Sequence, residues 1–505
     1  MARVSGMLTR VLLTLVKAGV IRPLGPRGLA ATARGYLQWD ITLAWGYQTG
    51  AGRHPDRAAI IDDDGVLTYA EVNERTSRLA HAFRAGERVG LLCRNHRGFI
   101  ETMTACTKIG ADAVLLNTSL SKGQLAQVAQ DQKIDRIVAD REFADVLPDV
   151  PTFFDDELES LIINGPAAPL PRRPPRGRLI VLTSGTTGTP KGAKRPEPAS
   201  LAPAAALLSR IPLKHGDVIA ITSPLFHAWG LAAFQLGLVL GATLVLRRRF
   251  DPAQTLKDAE NCTAMFVVPV MLQRMLDIPH RPKLRIIASS GSALPPRVAS
   301  RTLEEFGPVL YNLYGSTEVS WASIATPEEM LAEPGTAGRP PLGTRLAVVD
   351  DQGRPVAPGE TGRIFVGNEM LFDGYTNGTS KESLNGLMST GDLGYVKDGL
   401  LFVAGRDDEM IVSGGENVYP REVEDLLSNL DGVTEVAVLG VPDDEFGQRL
   451  AAFVVGDESL TADHVREHVR ANLARFSVPR DVFFVNELPR NAAGKVLKRQ
   501  LREQV

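Results

Sequence analysis

At 505 residues the chain is longer than a single hydrophobic core sustains, which excludes one small domain and calls for at least two. Hydrophobic residues at 44% and charged residues at 23% are ordinary for a globular protein, and a formal net charge of -3 offers no basic footprint for nucleic acid. The three cysteines, Cys93, Cys106 and Cys262, have neither the number nor the spacing of a disulfide framework or a thiolate metal site, and are expected as small buried residues in a reducing cytosol.

No stretch reaches the roughly 20 uninterrupted apolar residues of a membrane-spanning helix. Arg3, Arg10, Lys17, Arg22, Arg27 and Arg34 all precede Asp40, the first acidic residue. The apolar run Val11 to Val16 imitates a secretion signal, but Lys17 interrupts it. At about 100° per residue, Val4, Met7, Leu8, Val11, Leu12 and Leu15 share one helical face while Arg3, Arg10 and Lys17 share another. A basic amphipathic helix is therefore expected over residues 4–20. It either packs on its own domain or makes a peripheral membrane contact, which places the protein in the cytoplasm or on the inner membrane face.

Short apolar segments at Arg88 to Leu92, Ala113 to Leu116 and Arg136 to Val138 alternate with helical stretches such as Tyr69 to Phe83, an α/β pattern. A Pro- and Arg-rich passage, Pro166 to Gly177, leads to a strand at Leu179 to Leu182. Further strands are expected at Val218 to Thr222, Ala242 to Leu246, Ala264 to Val268 and Arg285 to Ala288. After Asp350 shorter, turn-punctuated strands indicate a β-rich part extending to about Ala404. A smaller α+β unit follows from Glu416, with helices at Pro420 to Leu430 and Ala462 to Leu473 around strands Glu435 to Val441 and Leu450 to Val455.

The strongest chemical signal is Thr183-Ser184-Gly185-Thr186-Thr187-Gly188-Thr189-Pro190-Lys191-Gly192. Its glycines allow close backbone approach, its hydroxyls donate hydrogen bonds, and Lys191 supplies a positive charge, a combination suited to polyphosphate. Pro190 stands where the Walker loop requires glycine. The string resembles the phosphate loop of the adenylate-forming superfamily, which includes acyl-CoA synthetases, luciferases and peptide-synthetase adenylation domains.

That resemblance continues in order along nearly the whole chain. It assigns to the nucleotide Gly291, Ser292 and Ala293 of an adenine-contacting turn, Asn312, and Tyr314-Gly315 of a motif whose Tyr stacks on adenine. In the same motif Thr317 contacts phosphate and Glu318 holds magnesium. Asp392 and Arg406 resemble the ribose-binding pair, and Asp408 the hinge about which the small domain rotates. Gly414, Gly415 and Glu416 resemble the lining of the coenzyme A tunnel, and Lys495 resembles the adenylation lysine. His227 is similar to a substrate-carboxylate contact and Trp229 to a gate over an acyl tunnel; the absence of an Asp from Pro224 to Gly230 argues against an amino-acid substrate.

The resemblance implies a large multi-layer α/β amino-terminal domain with a β-rich subdomain, residues 1–407, and a small mobile α+β carboxy-terminal domain, residues 408–505. The implied enzyme uses ATP, Mg2+ and coenzyme A to activate a medium- or long-chain fatty acid. An aryl-acid CoA ligase, a fatty-acyl-AMP ligase and a non-catalytic binding protein are the alternatives. His464-Val465-Arg466-Glu467-His468 matches an inverted zinc-protease pattern, but two ligands do not make a zinc site. Three departures from the family pattern, the short 80–88 passage, Lys194-Arg195-Pro196 and Gly362-Arg363, touch no residue assigned to chemistry.

Overall fold

The computed structural model of the protein describes residues 2–183, 190–196, 198–413, 416–443, 447–492 and 494–505. An eight-stranded sheet runs in the order Ser323–Ala325, Leu310–Tyr314, Ile286–Ser289, Ala264–Val267, Val218–Ile221, Thr243–Leu246, Ala58–Asp62, Gly65–Thr68. The inner strands pair in parallel and each edge strand antiparallel. A second, six-stranded sheet runs Thr152–Phe154, Arg136–Ala139, Arg88–Leu92, Asp112–Leu115, Leu179–Thr183, Lys191–Lys194, parallel except for the last pair. Strands such as Ala264–Val267 and Ile286–Ser289 are buried at every position. Parallel sheets require this, because crossover helices cover both faces. One continuous apolar cluster joins the two sheets, running from Val89 and Val181 to Ile221 and Phe266.

Helices between the sheets carry their own buried charges with partners attached. The Arg97–Ile109 helix buries Glu101 against Arg75, at 2.5 Å, and Lys108 against the Asn73 carbonyl, at 2.6 Å, and the Ser77 hydroxyl, at 2.8 Å. A Thr68–Glu71 capping box starts the helix expected at Tyr69, which ends at Leu79 and tightens into a 3₁₀ turn over Ala80–Ala82 instead of reaching Phe83.

The amino terminus forms two helices, α1 (Ala2–Lys17) and α2 (Pro26–Trp39), of which only the first was legible in the sequence. A third, α3 (Leu43–Arg53), packs under α2. The apolar face expected for α1 is mostly uncovered: Leu15 is buried, whereas Met7, Leu8 and Leu12 are exposed.

Residues 345–406 build an antiparallel five-stranded sheet, the expected β-rich part. Beyond it, strands Ile411–Ser413, Glu416–Val418, Val433–Asp443, Gly447–Gly456 and Asp481–Phe484 form another sheet, flanked by helices Pro420–Leu427 and Ala462–Asn472. This small unit leans on the large one through Arg297 Nη1 donating to the Val433 carbonyl at 3.1 Å and Gln273 donating to the Thr434 carbonyl at 3.0 Å. Lys498 bridges Glu409 at 2.9 Å and Glu424 at 3.1 Å, which fastens the unit beside the Asp407–Glu409 turn.

The turn that follows strand Val218–Ile221 sets up the helix Ala228–Val239. Gly230 lies so close to the preceding turn that a Cβ would stand 2.2 Å from the Pro224 carbonyl oxygen. Since backbone must shift to admit a methyl, Gly230→Ala is expected to destabilise the protein by about 1–3 kcal/mol, checked as a lowered thermal midpoint.

Candidate active site

Ligands of open α/β sheets bind beyond the carboxyl ends of the strands. Here Thr222, Val268, Ser290 and Gly315 continue the eight-stranded sheet at that edge. They open onto a cavity of about 330 Å³ that runs from Thr317, Asn491 and Lys495 at one end to Ile41, Leu43 and Trp45 at the other. Gly291, Gly315, His227 and Trp229 line it as well. The structure thus gathers residues from four of the sequence motifs around one space.

At the polar end, Tyr314 donates its hydroxyl to Asp392 Oδ2 at 2.5 Å. Arg406 stands 3.7 Å from the other Asp392 oxygen and binds Asp408 at 3.0 Å. Burial raises the Asp392 carboxyl above its ordinary range, against the Tyr314 hydrogen bond and the charges of Arg406 and Lys495. Expected as a ribose contact, Asp392 therefore also fixes the tyrosine, with its second oxygen left toward Arg406. Asn312 keeps its Oδ1 buried without a partner among the described groups. Beyond the Ile286–Ser289 strand Ser290 and Gly291 line the cavity, whereas Ser292 and Ala293 do not.

Glu318 accepts a hydrogen bond from Tyr375 at 2.6 Å, and the Lys191 ammonium lies 5.6 Å from the centre of the same tyrosine ring. Tyr375 was not singled out in the sequence. Its position comes from a bridge that pairs it with Ala193, supported by Lys194 N donating to the Gly374 carbonyl at 3.1 Å. No local pattern signals a contact made across so much intervening chain. Ser184, Gly185, Thr186, Thr187 and Gly188 of the phosphate loop lie outside the described residues, as do Gly414 and Gly415; of Thr183, the hydroxyl donates to the Lys191 carbonyl at 3.1 Å.

The reading that Lys194-Arg195-Pro196 lies away from the chemistry is corrected. Arg195 lines the cavity and donates from Nη1 to the Thr317 carbonyl at 2.9 Å. Burial pulls its guanidinium down to about 10, with Glu318 opposing, so it stays charged at neutral pH. No carboxylate lies within ion-pairing distance of it among the described residues. The one sequence signal was its place, directly after the strand that leaves the phosphate loop.

His227 is buried, its Nε2 has no hydrogen-bond partner among the described groups, and burial pushes its imidazole down to about 4, so the ring is neutral. Trp229, expected as a gate, is held by its Nε1–H to the Val267 carbonyl at 3.0 Å and packs 4.9 Å from the Phe266 ring. In this conformation it is a wall of the cavity. Lys495 comes to the cavity on the loop after Pro489, where Gly494 adopts φ +76° against Val270 and the Lys495 amide donates to Asn491 Oδ1 at 2.9 Å.

An AMP-binding, adenylate-forming site is what this geometry defines. The family model of the AMP-binding enzyme matches residues 47–376, and that of the AMP-binding enzyme C-terminal domain residues 422–495. The chain belongs to the AMP-binding enzyme family. It is 32% identical to the 2-succinylbenzoate–CoA ligase of Bacillus cereus over 473 residues, covering 89% of this chain and 96% of that protein. It is 34% identical to the indoleacetate–CoA ligase of Aromatoleum aromaticum over 493 residues, covering 90% and 96%. Among solved structures it resembles o-succinylbenzoate CoA synthetase from Bacillus subtilis in complex with its acyl-adenylate intermediate, with a TM-score of 0.81, 29% identity, and 90% and 97% of the two chains covered. ATP-bound MatB from Rhodopseudomonas palustris gives a TM-score of 0.81 at 27% identity, covering 91% and 98%.

Because the folded state holds His227 neutral to about pH 4 while an unfolded histidine titrates near 6.5, the unfolded chain binds the extra proton between those values. Stability is complete above about 6.5 and falls as the pH is lowered toward 4. Thermal midpoints recorded across that window should decline with acidity, and more shallowly in His227→Gln.

Proposed function

We propose that the protein is an AMP-forming acid–thiol ligase that activates an aromatic carboxylic acid bearing a second anionic or acceptor group, and transfers the acyl group to coenzyme A. The observation that carries the substrate reading is Arg195, a guanidinium with no carboxylate at ion-pairing distance among the described residues, facing an otherwise largely apolar cavity. Such a charge is costly to bury unless a ligand supplies the counter-ion. The names of the similar ligases, for 2-succinylbenzoate and indoleacetate, support an aryl acid over the fatty acid expected from the sequence.

In this reading the substrate carboxylate lies between His227 and Lys495 and attacks the α-phosphate of ATP, forming the acyl-phosphate bond while pyrophosphate leaves. Lys495 offsets the negative charge that accumulates on the transferring phosphoryl group. Glu318 fits a magnesium ion, since Tyr375 occupies one carboxylate oxygen and leaves the other free, and the bound ion would neutralise polyphosphate charge. Tyr314, fixed by Asp392, holds the adenine. In the second step the thiol attacks the acyl carbonyl and AMP departs, with rotation at Asp408 carrying Gly414, Gly415 and Glu416 to the site.

A fatty acid is the second reading, favoured by the uncovered apolar faces of α1 and α2.

Pyrophosphate release, measured for 2-succinylbenzoate, indoleacetate and palmitate with and without coenzyme A, tests both. Release with the aryl acids and a loss of about tenfold or more in kcat/KM for the dicarboxylate alone in Arg195→Leu are expected, because a charged hydrogen bond contributes roughly 1.5–3 kcal/mol. Preference for palmitate, unchanged in Arg195→Leu, would establish the second reading.

Gly494→Ala places a side chain in left-handed backbone with its Cβ 2.5 Å from Val270 Cγ1. At roughly 1–2 kcal/mol for the backbone alone, and with Gly494 buried against Val270, adenylation should slow about tenfold and the thermal midpoint should fall.

A further inference from the structure

The amino-terminal helices precede the region matched by the family model, and their solvent-facing sides are apolar. In α1, Leu8 is 60% exposed and Leu13 54%; in α2, Leu29 is 61% and Leu37 62%. A monomer does not leave four such residues on consecutive helices uncovered without use. Charge identifies what covers them. Six Lys and Arg precede Asp40 with no acidic residue among them, in a chain whose formal net charge is -3. Both helices carry basic residues beside the apolar face, Arg10 and Lys17 on α1, Arg27 and Arg34 on α2.

The link between the helices adds a second observation. His215 N donates to the Ala18 carbonyl at 2.7 Å and draws Arg22 beside His54, whose ring lies 5.0 Å from that of His215. Arg57 reaches His215 Nε2 at 3.0 Å, and Arg53 Nε is buried without a partner among the described groups. Among the described residues no carboxylate pairs with Arg22, Arg53 or Arg57. Three guanidiniums sharing a half-buried site without a counter-charge suit a phosphate.

The cavity supplies the third. Its outer end is walled by Leu43 and Trp45 of α3 and by Ala204 and Leu207 of the Ala202–Leu208 helix. Those are the elements on which α2 and α1 respectively pack.

We propose that α1 and α2 seat the enzyme on an anionic lipid bilayer, with the Arg22, Arg53 and Arg57 cluster taking a lipid phosphate and the cavity end between α3 and the Ala202–Leu208 helix lying beside the membrane-facing helices. The contact is peripheral, because no helix among the described residues is long and apolar enough to cross a membrane. Interfacial helices of this kind combine buried apolar area with attraction to anionic headgroups.

Co-sedimentation of the full chain with vesicles of phosphatidylcholine alone, and of phosphatidylcholine with phosphatidylglycerol in equal parts, tests the proposal. Binding is expected with the anionic vesicles and not with the neutral ones. The double variant Arg10→Gln, Lys17→Gln should lower the partition coefficient about 30-fold, from roughly 1 kcal/mol per basic residue at an anionic surface and 1.36 kcal/mol per tenfold. Leu8→Glu, Leu12→Glu should also abolish sedimentation, while vesicle-free turnover of a water-soluble acid stays at the wild-type rate in both variants and so shows that they fold. Equal binding to both vesicle types, or no loss in either variant, overturns it. So does a wild-type dimer in light scattering that Leu8→Glu, Leu12→Glu dissociates while no vesicles are bound, since a second copy then covers the face.

Discussion

The hydroxyl of Tyr375 donates to Glu318 while its ring lies beside the Lys191 ammonium, and that one side chain ties three distant segments into a site. Lys191 leaves the phosphate loop on an antiparallel strand, Glu318 follows the Leu310–Tyr314 strand, and Tyr375 lies in the connection between the Gly362–Gly367 and Ser383–Leu384 strands of the β-rich sheet. In the proposed reading Lys191 and Glu318 are opposite charges that serve the same polyphosphate, one toward its oxygens and the other toward the cation. Held apart on an aromatic ring, they keep their charges available instead of neutralising each other. The pairing of Ala193 with Tyr375 provides the rigidity, because backbone hydrogen bonds fix the tyrosine before any ligand enters.

Tyr314 and Asp392 repeat the arrangement at the nucleoside end. A buried carboxylate is expensive, and Asp392 is stabilised by the Tyr314 hydroxyl together with the nearby charges of Arg406 and Lys495. The tyrosine's ring is thereby fixed in a plane against which a base can stack. Lys495 belongs to the small unit, so its charge reaches Asp392 only while that unit leans on the large one. The position of the small unit and the electrostatics of the nucleotide site are therefore coupled.

The acid-binding end follows different physics. His227 is neutral because burial removes the water that would stabilise its charged form, and Trp229 is anchored to Val267, so neither offers a cation to the substrate. Arg195 does. The sequence reading favoured a fatty acid from the resemblance of the Pro224 to Gly230 motif to fatty-acid members of the superfamily and from the basic amphipathic helix. The similar ligases are named for aryl acids, and the charge of Arg195 inside the cavity agrees with a substrate that has more than one polar end.

What the sequence determined by itself was the family and the class of the fold. Buried parallel strands read as unbroken apolar runs, and the phosphate loop, the Tyr314 to Glu318 motif and Lys495 are short strings whose residue types are dictated locally by phosphate, cation and base. The helix at Tyr69 was legible because its capping box is local, and the small unit because its period changes. The tertiary structure alone decided the roles of Arg195 and Tyr375, the anchoring of Trp229 and the exposure of α1. Each depends on which distant segment lies opposite: an arginine after a strand reads as a surface charge until Thr317 is seen to receive it, and an amphipathic face reads as core until nothing among the described residues is found to cover it. Periodicity specifies that a face is apolar; only the packing of the remaining elements determines whether that face is buried.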